Sequence, residues 1–179
     1  MSEVLVITGS ARMGSVNKTM VSEVAKNLEA RDGVDVKIAD LAEMNLPYMN
    51  AALPPSSPDY KIEDPKVQEW AQAVANSDAV VFVSPEYNHN LSGIQKNAID
   101  WLWKEWQKKP AAFVGYGAYG AKYSYAAFQE MNNVLGLDLV ENMAGVTLGQ
   151  AVGYDGSVTE TEALTATLDT TLDELTAKL

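Results

Sequence analysis

Val4-Leu5-Val6-Ile7-Thr8-Gly9-Ser10-Ala11-Arg12-Met13-Gly14-Ser15-Val16-Asn17 runs from a short apolar stretch, through a turn of small residues, into a helix-like segment. A buried strand followed by a tight turn and a helix start makes an anion site, because the first backbone N–H groups of a helix have no intrahelical acceptor. Arg12 adds a planar donor fork suited to phosphate, and Ser10, Ser15 and Asn17 can each donate one more hydrogen bond. The spacing narrows the anion. A dinucleotide fingerprint needs three glycines as G-x-G-x-x-G, and only Gly9 and Gly14 are present. A Walker A loop needs a lysine where Ser15 stands. Pyrophosphate and triphosphate ligands lose ground, and a ligand ending in a single phosphate gains it.

From this turn outward, short apolar runs alternate with longer amphipathic segments. Strands are expected at Val4–Thr8, Val34–Ala39, Ala79–Ser84, Ala111–Gly115 and within Leu137–Leu148, with helices near 16–30, 66–76, 91–107, 123–135 and 160–178. Ala79-Val80-Val81-Phe82-Val83 shows no polar alternation, as a strand covered on both faces of a parallel sheet requires. Such a β-α repeat predicts an α/β three-layer sandwich. Its five-stranded parallel sheet would have the flavodoxin-like order 2-1-3-4-5, formed by residues 1–179 as a single domain. That order places a ligand where strands one and three diverge. The loop after strand three, Pro85-Glu86-Tyr87-Asn88-His89-Asn90, is dense in polar and aromatic groups and meets that expectation.

Composition removes several function classes. A formal charge of −11 disfavours nucleic acid and anionic membranes, which need a basic footprint. There is no cysteine and one histidine, so thiol nucleophiles, disulfides, iron–sulfur clusters and multi-histidine metal sites are excluded. Met1-Ser2-Glu3 lacks the basic start of a secretory signal, and no apolar run is long enough to span a bilayer; a cytoplasmic protein without a membrane segment is expected. Residues 44–65 hold five prolines and little periodicity, a connection long enough to serve as a lid, in which Tyr48 and Met49 could wall a planar ligand.

Three ordered stretches resemble the NADPH-dependent FMN reductase family of flavodoxin-like quinone, azo and chromate reductases. They are Gly9-Ser10-x-Arg12-x-Gly14-Ser15-x-Asn17, Ser84-Pro85-Glu86-Tyr87-Asn88 and Lys96-Asn97-Ala98-Ile99-Asp100-Trp101-Leu102. The resemblance implies that Ser10, Arg12, Ser15, Val16 and Asn17 hold the phosphate of FMN. It implies that Pro85, Glu86, Tyr87 and Asn88 run past the isoalloxazine ring, with the segment from Gly115 and Gly117 to Gly120 as a third wall. A missing Cβ there lets backbone approach a flat ring. Ser92 departs from the family, which often has proline there, and this should alter how the next helix starts.

The implied reaction takes hydride from NADPH or NADH to bound FMN and on to a small-molecule acceptor such as a quinone, by alternating substrate exchange. It needs no side-chain acid or base, so no catalytic residue and no metal ligand is named. The main alternative is a flavodoxin-type electron carrier without substrate turnover; Arg12 favours the reductase, because such carriers usually cradle phosphate with a Thr/Ser-rich loop. A phosphate-ligand binding module without flavin is a further alternative. Lys96, Asp100 and Lys104 share one helical stripe and read as an ion-pair row. Asn97 reads as support for the loop, and His89 as an exposed loop residue. Leu91, Ile94, Ala98, Ile99, Trp101, Leu102, Trp103 and Trp106 predict a helix with an apolar surface wider than one core requires. A homodimer through that surface, or a homotetramer, is expected.

Overall fold

A computed structural model describes all residues, 1–179. Six strands form one parallel sheet: β1 (Ser2–Thr8), β2 (Val34–Ala39), β3 (Ala79–Pro85), β4 (Pro110–Gly117), β5 (Asp138–Leu139) and β6 (Ala144–Thr147). The order is β2-β1-β3-β4-β5, with β6 also pairing β4. The helices are α1 (Asn17–Glu29), α2 (Leu41–Met44), α3 (Pro65–Asn76), α4 (Gly93–Asp100), α5 (Lys122–Leu135) and α6 (Thr161–Thr176). Two apolar clusters make this a three-layer sandwich. One joins Val4, Val6, Val81, Val83 and Val114 to Met20, Val24 and Leu28 of α1 and to Leu164, Leu168 and Leu172 of α6. The other joins Leu5, Ile7, Val80, Phe82 and Phe113 to Trp70 of α3, Ile99 of α4 and Phe128 of α5.

The strand alternation explains this division. Every side chain of β3 is buried, odd positions on one face and even positions on the other, which is why its sequence shows no polar period. Helix starts follow local chemistry. Asp64 accepts from the amides of Lys66 and Val67, with Pro65 in the first turn of α3. Ser92 accepts from the amide of Gln95, so the serine standing in the family's proline position caps α4.

Three expectations need correction. The fifth strand is broken: β5 pairs with the start of β4 and β6 with its end, while Glu141 and Asn142 between them are exposed. The amide of Asn142 turns outward to donate to Glu174 of α6. A short α2, capped by Asp40, follows β2 where no helix is expected.

The largest difference is in α4, which ends at Asp100 rather than near 107. The tryptophans decide this. Trp106 is 0% exposed, donates its indole N–H to the Ile99 carbonyl and packs at 5.9 Å from Trp70 and 5.7 Å from Phe82, ring centre to ring centre. Trp101 donates its indole N–H to the Pro47 carbonyl at 2.8 Å. Turns over 101–108 place both rings inside the chain, where each aromatic contact contributes about 0.5–1.5 kcal/mol beyond burial. The eight apolar residues therefore do not line one helix, and among them only Ile94 and Trp103 stay partly exposed.

The proline-rich connection is tied to α4. Asn97 donates to the Pro47 carbonyl and accepts from the Met49 amide, both at 2.9 Å, and the Tyr60 hydroxyl donates to the Trp101 carbonyl at 2.9 Å. Met49 packs against the α3/α4 side of the core, while Tyr48 is 86% exposed.

Candidate functional site

The C-terminal ends of β1, β3 and β4 carry three adjoining loops, and each holds residues expected at the site. In the first, Gly9 passes so close to β3 that a Cβ would collide with the Val83 carbonyl and lie 2.6 Å from Pro85 Cδ. Gly14 adopts φ +66°, which glycine takes without strain. The chain then enters α1 without a capping side chain and without an acidic residue in the first turn. The amides of Val16, Lys18 and Thr19 find no acceptor within the chain.

Arg12 and Ser15 stand at the mouth of this turn, and Arg12 forms no ion pair. The Ser10 hydroxyl accepts from the Arg12 amide at 3.2 Å, and the Ser15 hydroxyl accepts from the Asn17 amide at 3.0 Å. Asn17 itself is buried and donates its side-chain amide to the Val83 carbonyl at 3.3 Å. It fastens the start of α1 to β3, so its contribution to the turn is positional.

The second loop begins with Pro85 buried at the end of β3. Glu86 turns its carboxylate away from the loop and accepts from the amides of Tyr123 and Ser124 at 2.8 and 3.1 Å. It caps α5, whose own N-cap is Ala121, a residue with no polar side chain. Tyr87 and Asn90 exchange both backbone hydrogen bonds at 3.0 Å across Asn88 and His89, which have φ of 51° and 60°. Two successive left-handed residues make a type I′ turn, a strain that asparagine tolerates better than most residues. The Tyr87 hydroxyl lies 2.8 Å from the Ser10 hydroxyl, joining the second loop to the first.

The third loop follows β4. A Cβ on Gly117 would approach Glu86 Cβ to 3.2 Å, so the missing side chain lets the second and third loops close together. At Gly115 the missing Cβ faces Ala121 and Phe113 inside the protein, a packing requirement of α5.

Between these glycines stands Tyr116, which points to the opposite face of the sheet and is 4% exposed. Its hydroxyl lies 3.5 Å from the Ser15 hydroxyl. Burial is the main cause that pushes its phenol up to about 12, against smaller opposing effects of Ser15, Asn17 and Arg12. Tyr116 is therefore a neutral donor at physiological pH, aimed into the anion turn from another strand. No sequence pattern around the first loop could reveal it; only the β3–β4 register brings it there.

At the outer rim His89 stacks on Tyr123 at 3.9 Å, Tyr119 meets Tyr123 edge-on at 6.2 Å, and the Lys122 ammonium sits 4.7 Å above the Tyr123 ring. The aromatic surface around His89 is not legible in the sequence because its members come from the β3 loop, the β4 loop and the first turn of α5. Lys96 and Asp100 pair at 2.6 Å on the outside of α4, as their spacing predicts.

A parallel sheet of this order, with a phosphate-type turn after β1 and adjoining polar and glycine-rich loops after β3 and β4, defines a flavodoxin-like protein. A model of the NADPH-dependent FMN reductase family matches residues 2–152, and the chain belongs to that family. It is an oxidoreductase that uses NAD(P)H and FMN.

An NAD(P)H-dependent FMN reductase from a Nectria species is 34% identical over 134 residues, which cover 73% of this chain and 67% of that one. A 2-hydroxy-1,4-benzoquinone reductase from a Burkholderia species is 31% identical over 129 residues, covering 66% and 63%. Among solved structures, the flavoenzyme NAD(P)H:(acceptor) oxidoreductase FerB from Paracoccus denitrificans superposes with a TM-score of 0.77 and 26% identity over 99% of both chains. The donor set fits the terminal phosphate of FMN: one unpaired guanidinium, free amides at a helix start, and hydroxyls from the β1 and β3 loops and from β4. No helix is long and apolar enough to cross a membrane.

Proposed function

We propose that residues 1–179 act as one domain holding FMN, with its phosphate in the Ser10–Asn17 turn and its ring along residues 85–88 and 115–117. The observation that carries this is the unpaired Arg12 beside unsatisfied amides at the start of α1, with the neutral Tyr116 hydroxyl directed at Ser15. When bound, FMN supplies the redox chemistry, taking hydride from NAD(P)H and passing it to an acceptor of the quinone class. The chain's residues bind and orient. Arg12, Ser10, Ser15 and the Val16 amide hold the phosphate, and Asn17 keeps the turn on β3. The Asn88–His89 turn and the backbone beside Gly117 border the ring. His89, Tyr119 and Tyr123 offer an exposed aromatic surface at the mouth for an aromatic substrate.

Both substrates reach the same face in turn, so the kinetics are ping-pong. Steady-state oxidation of NADPH and NADH against a series of quinones, with one equivalent of FMN per chain, tests this. Parallel double-reciprocal lines are expected, with many turnovers per flavin. Intersecting lines contradict the shared face, and turnover no faster than free FMN contradicts the enzyme reading in favour of a carrier.

A further inference from the structure

A groove of about 780 Å³ leaves the anion turn on the side away from the β3 and β4 loops. It runs between α1 and the edge strand β2, and its size lies in the range of small-molecule sites. Two features make it more than a seam between elements. Its floor is apolar: Val21 and Ala25 of α1 face Ile38, which is 53% exposed although it follows Val34 and Val36 on the side of β2 that packs toward α1. Its end nearest the turn carries two cations, Arg12 and Lys18, and neither forms an ion pair in a chain of net charge −11.

The far wall holds Asp40 at the end of β2. Its Oδ1 accepts both capping bonds from the Ala42 and Glu43 amides, which leaves Oδ2 without a protein partner. In dinucleotide-binding sheets an acid at the end of the second strand, across from the turn after the first, accepts the hydroxyls of an adenosine ribose; Asp40 holds the corresponding place here, without the three-glycine turn of that class. The Leu41 amide donates to the Thr8 hydroxyl at 3.0 Å, which fixes this wall to the end of β1.

The strand order sets the order of subsites: ring loops over β3 and β4, phosphate over β1, and the groove over β2. We propose that the groove seats the adenylate half of FAD, so that the protein binds FAD as well as FMN. The second phosphate lies on Lys18, the adenine on Val21, Ala25 and Ile38, and the ribose hydroxyls on Asp40. This rests on the FMN reading above, since the first phosphate occupies the same turn.

Isothermal titration of flavin-free protein with FMN and with FAD, for the parent and for Ser22→Trp, tests it. Ser22 is an exposed α1 residue lining the groove away from the anion turn, so the indole fills the adenylate seat without touching the FMN phosphate. FAD is expected to bind within tenfold of FMN in the parent. Ser22→Trp should weaken FAD at least tenfold and leave FMN within twofold. FAD binding more than tenfold weaker than FMN, or a Ser22→Trp protein that retains FAD or loses both flavins equally, overturns the proposal. Failure of FMN itself to bind the parent would instead remove the FMN reading.

Discussion

Tyr116 shows how a single phenol can belong to the core and to the anion turn at once. Its ring belongs to the cluster packed under α1 and α6, while its hydroxyl emerges beside Ser15. The folded protein keeps that phenol neutral up to about 12, whereas an unfolded chain releases its proton near the ordinary value of 10.0. Between these values the folded state binds the extra proton. Stability from this group is therefore complete below pH 10 and is lost as the pH rises toward 12, by on the order of 2–3 kcal/mol. Urea unfolding between pH 9 and 11.5 checks it: Tyr116→Phe should flatten the alkaline fall relative to the parent. Identical slopes contradict the buried-phenol account. Thr8 and Asn17 play the corresponding inward role from β1 and α1, holding Leu41 and Val83 so that the loop ends stay in register.

Among the elements, α5 depends most visibly on a residue outside itself. Its first turn is capped by Glu86 from the β3 loop, because Ala121 with φ 58° offers no side chain for the purpose. Glu86→Ala should lower unfolding stability by about 1–2 kcal/mol, with Glu86→Gln retaining part of it. Denaturant midpoints measure the loss, and a change below about 0.3 kcal/mol contradicts the capping role.

This cross-loop cap also marks the limit of what the sequence discloses. The four inner and edge strands are legible because Val4–Ile7, Ala79–Val83 and Ala111–Val114 are apolar runs of strand length and Val34–Ala39 alternates apolar with charged residues. The anion turn is legible because its glycines, hydroxyls and arginine are contiguous. The end of α4 is not, since residues 91–107 keep helical apolar spacing and only contact with Trp70, Phe82 and Pro47 draws the indoles out of the helix. The capping of α5 by Glu86, the inward direction of Asn17 and the arrival of Tyr116 depend equally on partners 37, 66 and 101 residues away.

For the whole molecule, the strand order does the positioning. Three consecutive sheet neighbours, β1, β3 and β4, put a phosphate turn, a left-handed turn and a glycine loop side by side, and the hydroxyls of Ser10 with Tyr87 and Ser15 with Tyr116 join them. In a chain of net charge −11 the unpaired Arg12 and Lys18 beside the turn form a local cationic feature suited to an anion. Everything functional then depends on that turn discriminating a phosphate. Titration of flavin-free protein with FMN and with riboflavin, which differ only in the phosphate, measures this directly when repeated for Arg12→Ala. FMN is expected to bind at least roughly 100-fold more tightly than riboflavin in the parent, and loss of the guanidinium should erase about 10- to 100-fold of that gap. Riboflavin binding as tightly as FMN, or a gap unchanged in Arg12→Ala, contradicts the account.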